Sequence, residues 1–467
     1  MSAPESDRLD PSVWKISAVA LFGGLLSQLD ATIVNVSLSN LAVDLKVGIS
    51  TIQWVTSGYL LALTLVLPLN GWFVDRIGAK ALYLWCFSAF TLASALCGLA
   101  WSANSLIAFR VLQGLSGGLL APMAQMMIAR AAGKHMARVA GYVSLPVLLA
   151  PIFGPIIAGA ILQYASWRWL FLVNLPVGAI ALLMAILFLP SDKQDTRRRP
   201  LDWLGLALLS PGLTLFLYGA ERIVQPAGGA TFAAGIAMMT AFLWTARRKG
   251  DDALVDLRLF RGKVFSAAAV TQFLSNGVLF AGQMLLPAFL IQAFGRAPAD
   301  MGWMLAPAGL GMMLVYPSMG ILTDRFGIRR VSAGGALLAL VATATLLVLA
   351  MRGLNLFVLI PALFLRGMGQ GAVGLPSLTA AYSSVSRQKM PAATTSLNIV
   401  QRLGGPTMTT LCASLLAWKL GSPATGPTVS SAYAWALLLL CALHAFTFVA
   451  AMRLPSRLDE VAIREER

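Results

Sequence analysis

"GWFVDRIGAK" runs from Gly71 to Lys80, and "GILTDRFGIRR" runs from Gly320 to Arg330. Each has a glycine, an Asp-Arg pair starting four residues later, a second glycine and then basic residues. Each also sits between two long apolar runs, as a short charged turn joining two membrane helices does. Two further stretches return at the same separation. "FRVLQGLSGG" (Phe109–Gly118) comes back as "LRGMGQGAVG" (Leu365–Gly374), and "FGPIIAG" (Phe153–Gly159) returns more faintly as "GGPTMTT" (Gly404–Thr410). All three pairs lie about 250 residues apart, which marks an internal structural repeat of the kind found in polytopic membrane proteins.

Composition sets the solvent. Of 467 residues, 58% are hydrophobic and only 12% are charged, too apolar for a soluble chain of this length, so the fold class is an all-α polytopic membrane protein. A net charge of +16 would suggest nucleic acid in a soluble protein. In a membrane protein it marks the loops on the cytoplasmic side, and no nucleic-acid partner is expected. Cys86, Cys97, Cys412 and Cys441 all fall in apolar segments without metal-ligand spacing and read as small buried hydrophobes. The N-terminus "MSAPESDRLDPSVWK" lacks the basic region of a cleavable signal, and the apolar run after it is long enough to span.

Apolar windows of about 20 residues can each cross a hydrocarbon core of about 30 Å. They begin near Trp14, Thr51, Lys80, Ala103, Ala137, Arg168, Leu201, Gly228, Val264, Met301, Arg329, Leu354, Ala392 and Ser430. The expectation is fourteen transmembrane helices. Residues 1–190 form a six-helix bundle, 191–263 an inserted pair, and 264–467 a second six-helix bundle with a tail. The two bundles are expected to face each other across a site near the midplane. The seventh window, broken by Pro211 and Gly212, is the weakest; without the middle pair the count is twelve.

Arg110, Arg366 and Arg402 lie within spans, and Lys46, Arg168, Arg222, Arg296, Arg352 and Lys419 fall on one side. The remaining Lys and Arg fall in the tails and in the loops on the other side, so both termini are expected in the cytoplasm. All but one tryptophan, Trp85, lies near a span end, as in an interfacial belt.

Of the 19 acidic residues, only Asp30 lies deep in a span. A charged side chain at the bilayer centre costs at least about 2.5–3.5 kcal/mol and marks a functional site by default. A buried carboxyl can take a proton from one side and release it to the other, or hold a cation when deprotonated. The competing reading is an acid paired permanently to hold helices together. Gly23, Ser27, Asp30 and Ser37 share one helical face, which could line a cavity. Arg110, a permanent charge in the fourth span, either modulates that carboxylate or pins a helix end. Asp30→Asn is expected to abolish proton coupling and leave folding intact.

The repeated motifs resemble those of the major facilitator superfamily. "GWFVDRIGAK" resembles its signature between spans two and three, "FRVLQGLSGG" its fourth-span signature, and "LAPIFGPIIAG" (Leu149–Gly159) the fifth-span signature associated with antiporters. "LDATIVNVSL" (Leu29–Leu38), "WRWLFLVNLPVG" (Trp167–Gly178) and "DLRLFRGKVF" (Asp256–Phe265) are similar to the fourteen-span drug:proton antiporter branch, the EmrB/QacA type. Three features depart from the pattern. Ala158 stands where the fifth-span signature usually has glycine, and Ser39 where proline is more usual. The further membrane acids of some relatives are missing, which weakens the case for dication recognition.

The resemblance implies a proton-coupled multidrug exporter in a bacterial inner membrane, driven by the proton gradient without cofactor or metal. Hydrophobic, cationic small molecules are the expected substrates. Asp30 and Arg110 would couple proton and substrate, and Gly154, Pro155 and Gly159 would seal the fifth helix. Gly71, Asp75, Arg76, Asp324 and Arg325 would latch the cytoplasmic side. Gln28, Asn35, Gln113, Arg366 and Arg402 are candidate cavity residues. Candidate partners are a small-molecule substrate, protons and the lipid bilayer, with a periplasmic adaptor protein as an additional candidate. Because three arginines face one aspartate within the spans, the alternative is a proton-coupled carrier for one specific, anionic metabolite. No phosphate-binding GxxxxGK[ST] loop is present, so the chain is not expected to hydrolyse ATP. His135 and His444 stand alone and suggest no metal site.

Overall fold

A computed structural model describes residues 10–191, 200–223, 225–297, 300–421 and 429–456. Among them every regular element is helical. In chain order these are α1 (Pro11–Asp44), α2 (Ile49–Ile52), α3 (Trp54–Val66), α4 (Asn70–Ile77), α5 (Ala79–Gly98), α6 (Ala103–Ala132), α7 (Met136–Tyr164), α8 (Trp169–Leu172) and α9 (Asn174–Phe188). They continue as α10 (Trp203–Glu221), α11 (Pro226–Lys249), α12 (Lys263–Phe294), α13 (Met301–Val315), α14 (Met319–Phe326), α15 (Ile328–Arg352), α16 (Leu356–Ser383), α17 (Met390–Leu420) and α18 (Val429–Ala451).

Helix starts agree with the hydropathy windows to within three residues, the widest gap being Trp14 against Pro11. Twelve helical segments among the described residues are long and apolar enough to cross a bilayer, two short of the fourteen expected. The two long helices outside that set are α7, with 29 residues, and α17, with 31. The apolar sequence of α17 is diluted by Thr394, Thr395, Ser396, Asn398, Gln401 and Arg402, which lowers its hydropathy. Several α7 side chains, those of Pro151 and Pro155 among them, lie outside the described set. The seventh window is unbroken: α10 runs through Pro211, as membrane helices can when neighbours compensate the freed carbonyl.

The chain forms two compact units. The first comprises Met1–Thr214, Phe242–Val255 and Arg387–Thr395; the second comprises Leu215–Ala241, Asp256–Ser386 and Ser396–Arg467. In the first, α6 packs on α1, α3 and α5, and α9 packs on α1 and α5. In the second, α16 packs on α12, α13 and α15, and α18 packs on α12 and α15. Each of these five pairings in the first unit has its counterpart in the second.

The repeated turns match in detail. Gly78 ends α4 at φ 83°, ψ 156°, and Gly327 ends α14 at φ 82°, ψ 154°. This positive-φ geometry strongly favours glycine, which explains why both copies of the motif carry it. Away from the cores, the helices expose large apolar side chains such as Leu92, Leu183, Leu314 and Phe446, a surface suited to lipid. Trp14, Trp54, Trp101, Trp169, Trp203, Trp303 and Trp418 are exposed close to helix ends, as an interfacial belt requires.

The connector before α12 is anchored by Asp202. It precedes α10, accepts the Gly205 N–H at 2.8 Å as an N-cap, and also accepts Lys249 Nζ at 2.5 Å and the Leu254 N–H at 3.1 Å. Burial pushes the Asp202 carboxyl up, but these three donors outweigh it and hold its pKa below the ordinary value.

Candidate functional site

Asp30 is fully buried within the first unit, and so is Arg110. Arg110 Nη1 donates to Asp30 Oδ2 at 2.5 Å. The other carboxylate oxygen, Oδ1, accepts Nδ2 of Asn174 at 2.8 Å and Nε2 of Gln113 at 3.1 Å. Arg110 Nη1 also donates to Gln113 Oε1 at 2.7 Å, and its Nε donates to the carbonyl of Val55 at 3.1 Å. Its guanidinium lies over the Tyr59 ring, 4.1 Å from the centroid. Ser94 accepts from both Gln113 and Asn174, at 3.2 and 3.0 Å, and donates to the Phe171 carbonyl. The charges thus sit where α1, α3, α5, α6 and the start of α9 meet.

Local sequence explains the convergence. Arg110 and Gln113 are three residues apart on α6 and present one face. Asn174 is the first residue of α9, just after the short helix "WLFL" (Trp169–Leu172). Sequence reasoning singled out Asp30, Arg110 and Gln113 but missed Asn174 and Ser94. The available signal was a lone amide in the apolar run "WLFLVNLPVG" and a lone serine amid "TLASALCG" (Thr91–Gly98).

The expected cavity face of α1 proves to be a packing face. Gly23 lies against Tyr83 and Phe87, Ser27 Oγ is 3.3 Å from Tyr59 Oη, and Ser37 is buried. Small residues here leave room for the side chains of Tyr59 on α3 and of Tyr83 and Phe87 on α5. Gln28 and Asn35 are exposed on another face of α1, while Gln113 serves the Asp30 network. Arg402 is half-buried on α17, and Arg366 is buried in the second unit.

The helix-five residues divide. Gly154 is buried so close to Thr32 of α1 that a Cβ there would overlap the threonine side chain. Gly159 has open space where its Cβ would lie. Pro155 lies in α7 with its side chain outside the described set. In the two repeated Asp-Arg motifs, Arg76 lies over Trp72 and Arg325 over Phe326, at 5.2 and 5.3 Å from the ring centroids. Gly71 is buried against Pro391 and Thr395, and Asn70 Nδ2 donates to Thr395 Oγ1 at 3.3 Å. Asp75 and Asp324 occupy equivalent places near the ends of α4 and α14.

Residues 20–409 match the model of the Major Facilitator Superfamily. The chain belongs to the major facilitator superfamily. Its members are transporters rather than enzymes and need no cofactor, and among the described residues no cluster of His, Cys, Asp and Glu could hold a metal. One relative of this superfamily protein is the multidrug resistance protein B homolog of Mycobacterium tuberculosis (strain ATCC 25618 / H37Rv). It is 34% identical over 424 residues, 88% of this chain and 78% of the relative. Another is the putative multidrug resistance protein MdtD of Salmonella newport (strain SL254), 33% identical over 374 residues, 78% of this chain and 77% of the relative. The fold is shared with the proton:xylose symporter XylE at a TM-score of 0.66 and 13% identity, covering 97% of this chain and 98% of that one. The resemblance of the motifs to the superfamily, and to its drug-resistance branch, is borne out by these matches.

Proposed function

We propose that this transporter is a proton-coupled multidrug exporter that moves hydrophobic, cationic small molecules outward by alternating access. One observation carries the reading: a fully buried carboxylate, Asp30, is held in an enclosed network by Arg110, Gln113 and Asn174. Ionised, it neutralises Arg110. Protonated, it leaves a buried guanidinium without a counter-charge, which is costly. Proton binding therefore strains the joint of α1, α3, α5, α6 and α9, and a rearrangement that exposes the site relieves the strain. Arg110 acts by positioning and poising the carboxylate. A cationic substrate competes with the proton through this joint rather than by touching Asp30 in the enclosed arrangement. The relatives' names, both multidrug resistance proteins, support the substrate class.

The same reading has α7 and α17 crossing the membrane, giving fourteen spans with both termini in the cytoplasm of a bacterial inner membrane. Residues 1–190 and 264–467 then form the two six-helix bundles, joined by 191–263. Gly154 seals α7 against α1, and Gly71, Asp75, Arg76, Asp324 and Arg325 form the cytoplasmic latch. A periplasmic adaptor remains a candidate partner. Cells expressing the chain should extrude a lipophilic cation such as tetraphenylphosphonium against its gradient and stop when a protonophore is added. Export that survives the protonophore contradicts the reading.

A further inference from the structure

The second unit contains a buried cation with no acid beside it. Arg366 on α16 is only 3% exposed. Its Nη2 donates to the carbonyl of Val278 on α12 at 3.0 Å, while Nε has no acceptor. Gly282, one turn further along α12, leaves room for the guanidinium; a Cβ there would overlap it. Gln370 follows Arg366 by four residues and so shares its face; its Nε2 is buried without a partner. On α18, Cys441 and His444 lie one turn apart, and Leu440 and Leu443 beside them pack in one core cluster with Val278 of α12 and Leu363 of α16. His444 is 1% exposed, and its Nε2 also lacks a partner. Among the described residues, no carboxylate pairs with Arg366.

Arg110 makes the contrast plain. It stands in the corresponding motif of the first unit, likewise donates to a backbone carbonyl, and has Asp30 as its counter-ion. Arg366 has the carbonyl and lacks the acid. An isolated charge in a membrane interior is strongly unfavourable, and each buried donor left unsatisfied adds to the cost. Arg366 Nε and Gln370 Nε2 are donors, and His444 Nε2 is a third in the tautomer that carries its proton there; together they suit a small negative ligand.

We propose that Arg366, Gln370 and His444 form an anion site that accepts one monovalent anionic group, with Arg366 as counter-charge and the two other side chains as polar contacts. The group is either a free inorganic ion or the acidic end of a carboxylate-bearing solute. The proposal goes beyond the proton-coupling reading, because it needs no ionisation at Asp30.

The test uses the full chain in lipid nanodiscs with gluconate as the background anion. Chloride and benzoate are titrated separately while the thermal unfolding midpoint is followed, for wild type, Asp30→Asn, Arg366→Met and Gly282→Ala. The expected result is a saturable rise of about 2 °C or more with at least one of the two anions in wild type and Asp30→Asn. Arg366→Met should be stable and flat, since an apolar side chain of similar length needs no counter-ion. Gly282→Ala should shift the response to higher anion concentration, because it displaces the guanidinium without removing its charge. A wild-type midpoint no more responsive to either anion than that of Arg366→Met overturns the proposal, whatever Asp30→Asn does to proton coupling. If the site responds, benzoate uptake into proteoliposomes identifies it as part of a transport pathway, and stabilisation without uptake identifies a resident counter-ion.

Discussion

Asp30 and Arg110 stabilise the first unit only as a pair. Removing one partner of a buried ion pair costs about 3–5 kcal/mol, because the survivor is left uncompensated. Asp30→Asn keeps an amide that can bond within the network but strands Arg110, so it should lower the unfolding midpoint as well as abolish coupling. The simpler expectation of intact folding fails because Arg110 lies 2.5 Å away. The double variant Asp30→Asn with Arg110→Met should regain most of the lost stability and none of the coupling. Thermal unfolding beside a flux assay separates the two effects, and a double variant as unstable as the single one contradicts the pairing argument. The residues legible in the sequence were the two charged ones, since an acid or arginine in an apolar run is conspicuous, and Gln113, which lies in the repeated motif of α6. Asn174 and Ser94 were not legible, because a neutral polar residue in a membrane helix usually satisfies itself locally and only the fold brings these two to the carboxylate.

At the scale of the element, two glycines in one motif have opposite environments. Gly154 meets Thr32 directly and Gly159 meets nothing. Gly154→Val should overpack the α1–α7 contact, at about 1–3 kcal/mol, and raise passive proton leak. Gly159→Ala should be neutral or stabilising by about 0.5–1 kcal/mol, the usual gain from replacing glycine within a helix. Leak rates in proteoliposomes distinguish the two, and equal effects contradict the contact. The motif suggested three equivalent residues, whereas the neighbouring helix decides which glycine is needed. A second element-level prediction concerns Asp202. Its folded pKa is depressed, so its contribution is fully present above the unfolded value and is lost as pH falls through the folded one. Asp202→Asn should therefore destabilise at pH 7, and the gap from wild type should close as pH drops below about 4. Unfolding midpoints of both proteins across that range check it; a gap that persists in acid contradicts the role of the carboxylate.

Across the whole molecule, the repeat read from three motif pairs reappears as matching helix contacts in both units and as nearly identical dihedral angles at Gly78 and Gly327. Hydropathy located every long helix, yet α17 falls outside the twelve clearly apolar spans because its polar residues serve the interior rather than lipid: Gln401 Nε2 donates to Gln272 Oε1 at 2.8 Å, and Gln272 in turn reaches Ser377. Sequence averages over faces and cannot tell a polar inner face from a helix that does not cross. Single cysteines settle the topology. With fourteen spans, Ser166→Cys and Gln225→Cys react with an impermeant maleimide on intact cells, and Arg261→Cys and Arg387→Cys react only after permeabilisation. Labelling of all four from outside contradicts that topology.

Proton exchange at Asp30 is the central claim. Inside-out vesicles carrying a pH-sensitive dye, acidified within by respiration, test it most directly when tetraphenylphosphonium is added to wild type and to Asp30→Asn at equal folded amounts. The cation should trigger proton release from wild-type vesicles, and the Asp30→Asn vesicles should behave like vesicles without the protein. Equal release from both would show that the proton moves by another route and would remove Asp30 from the coupling mechanism.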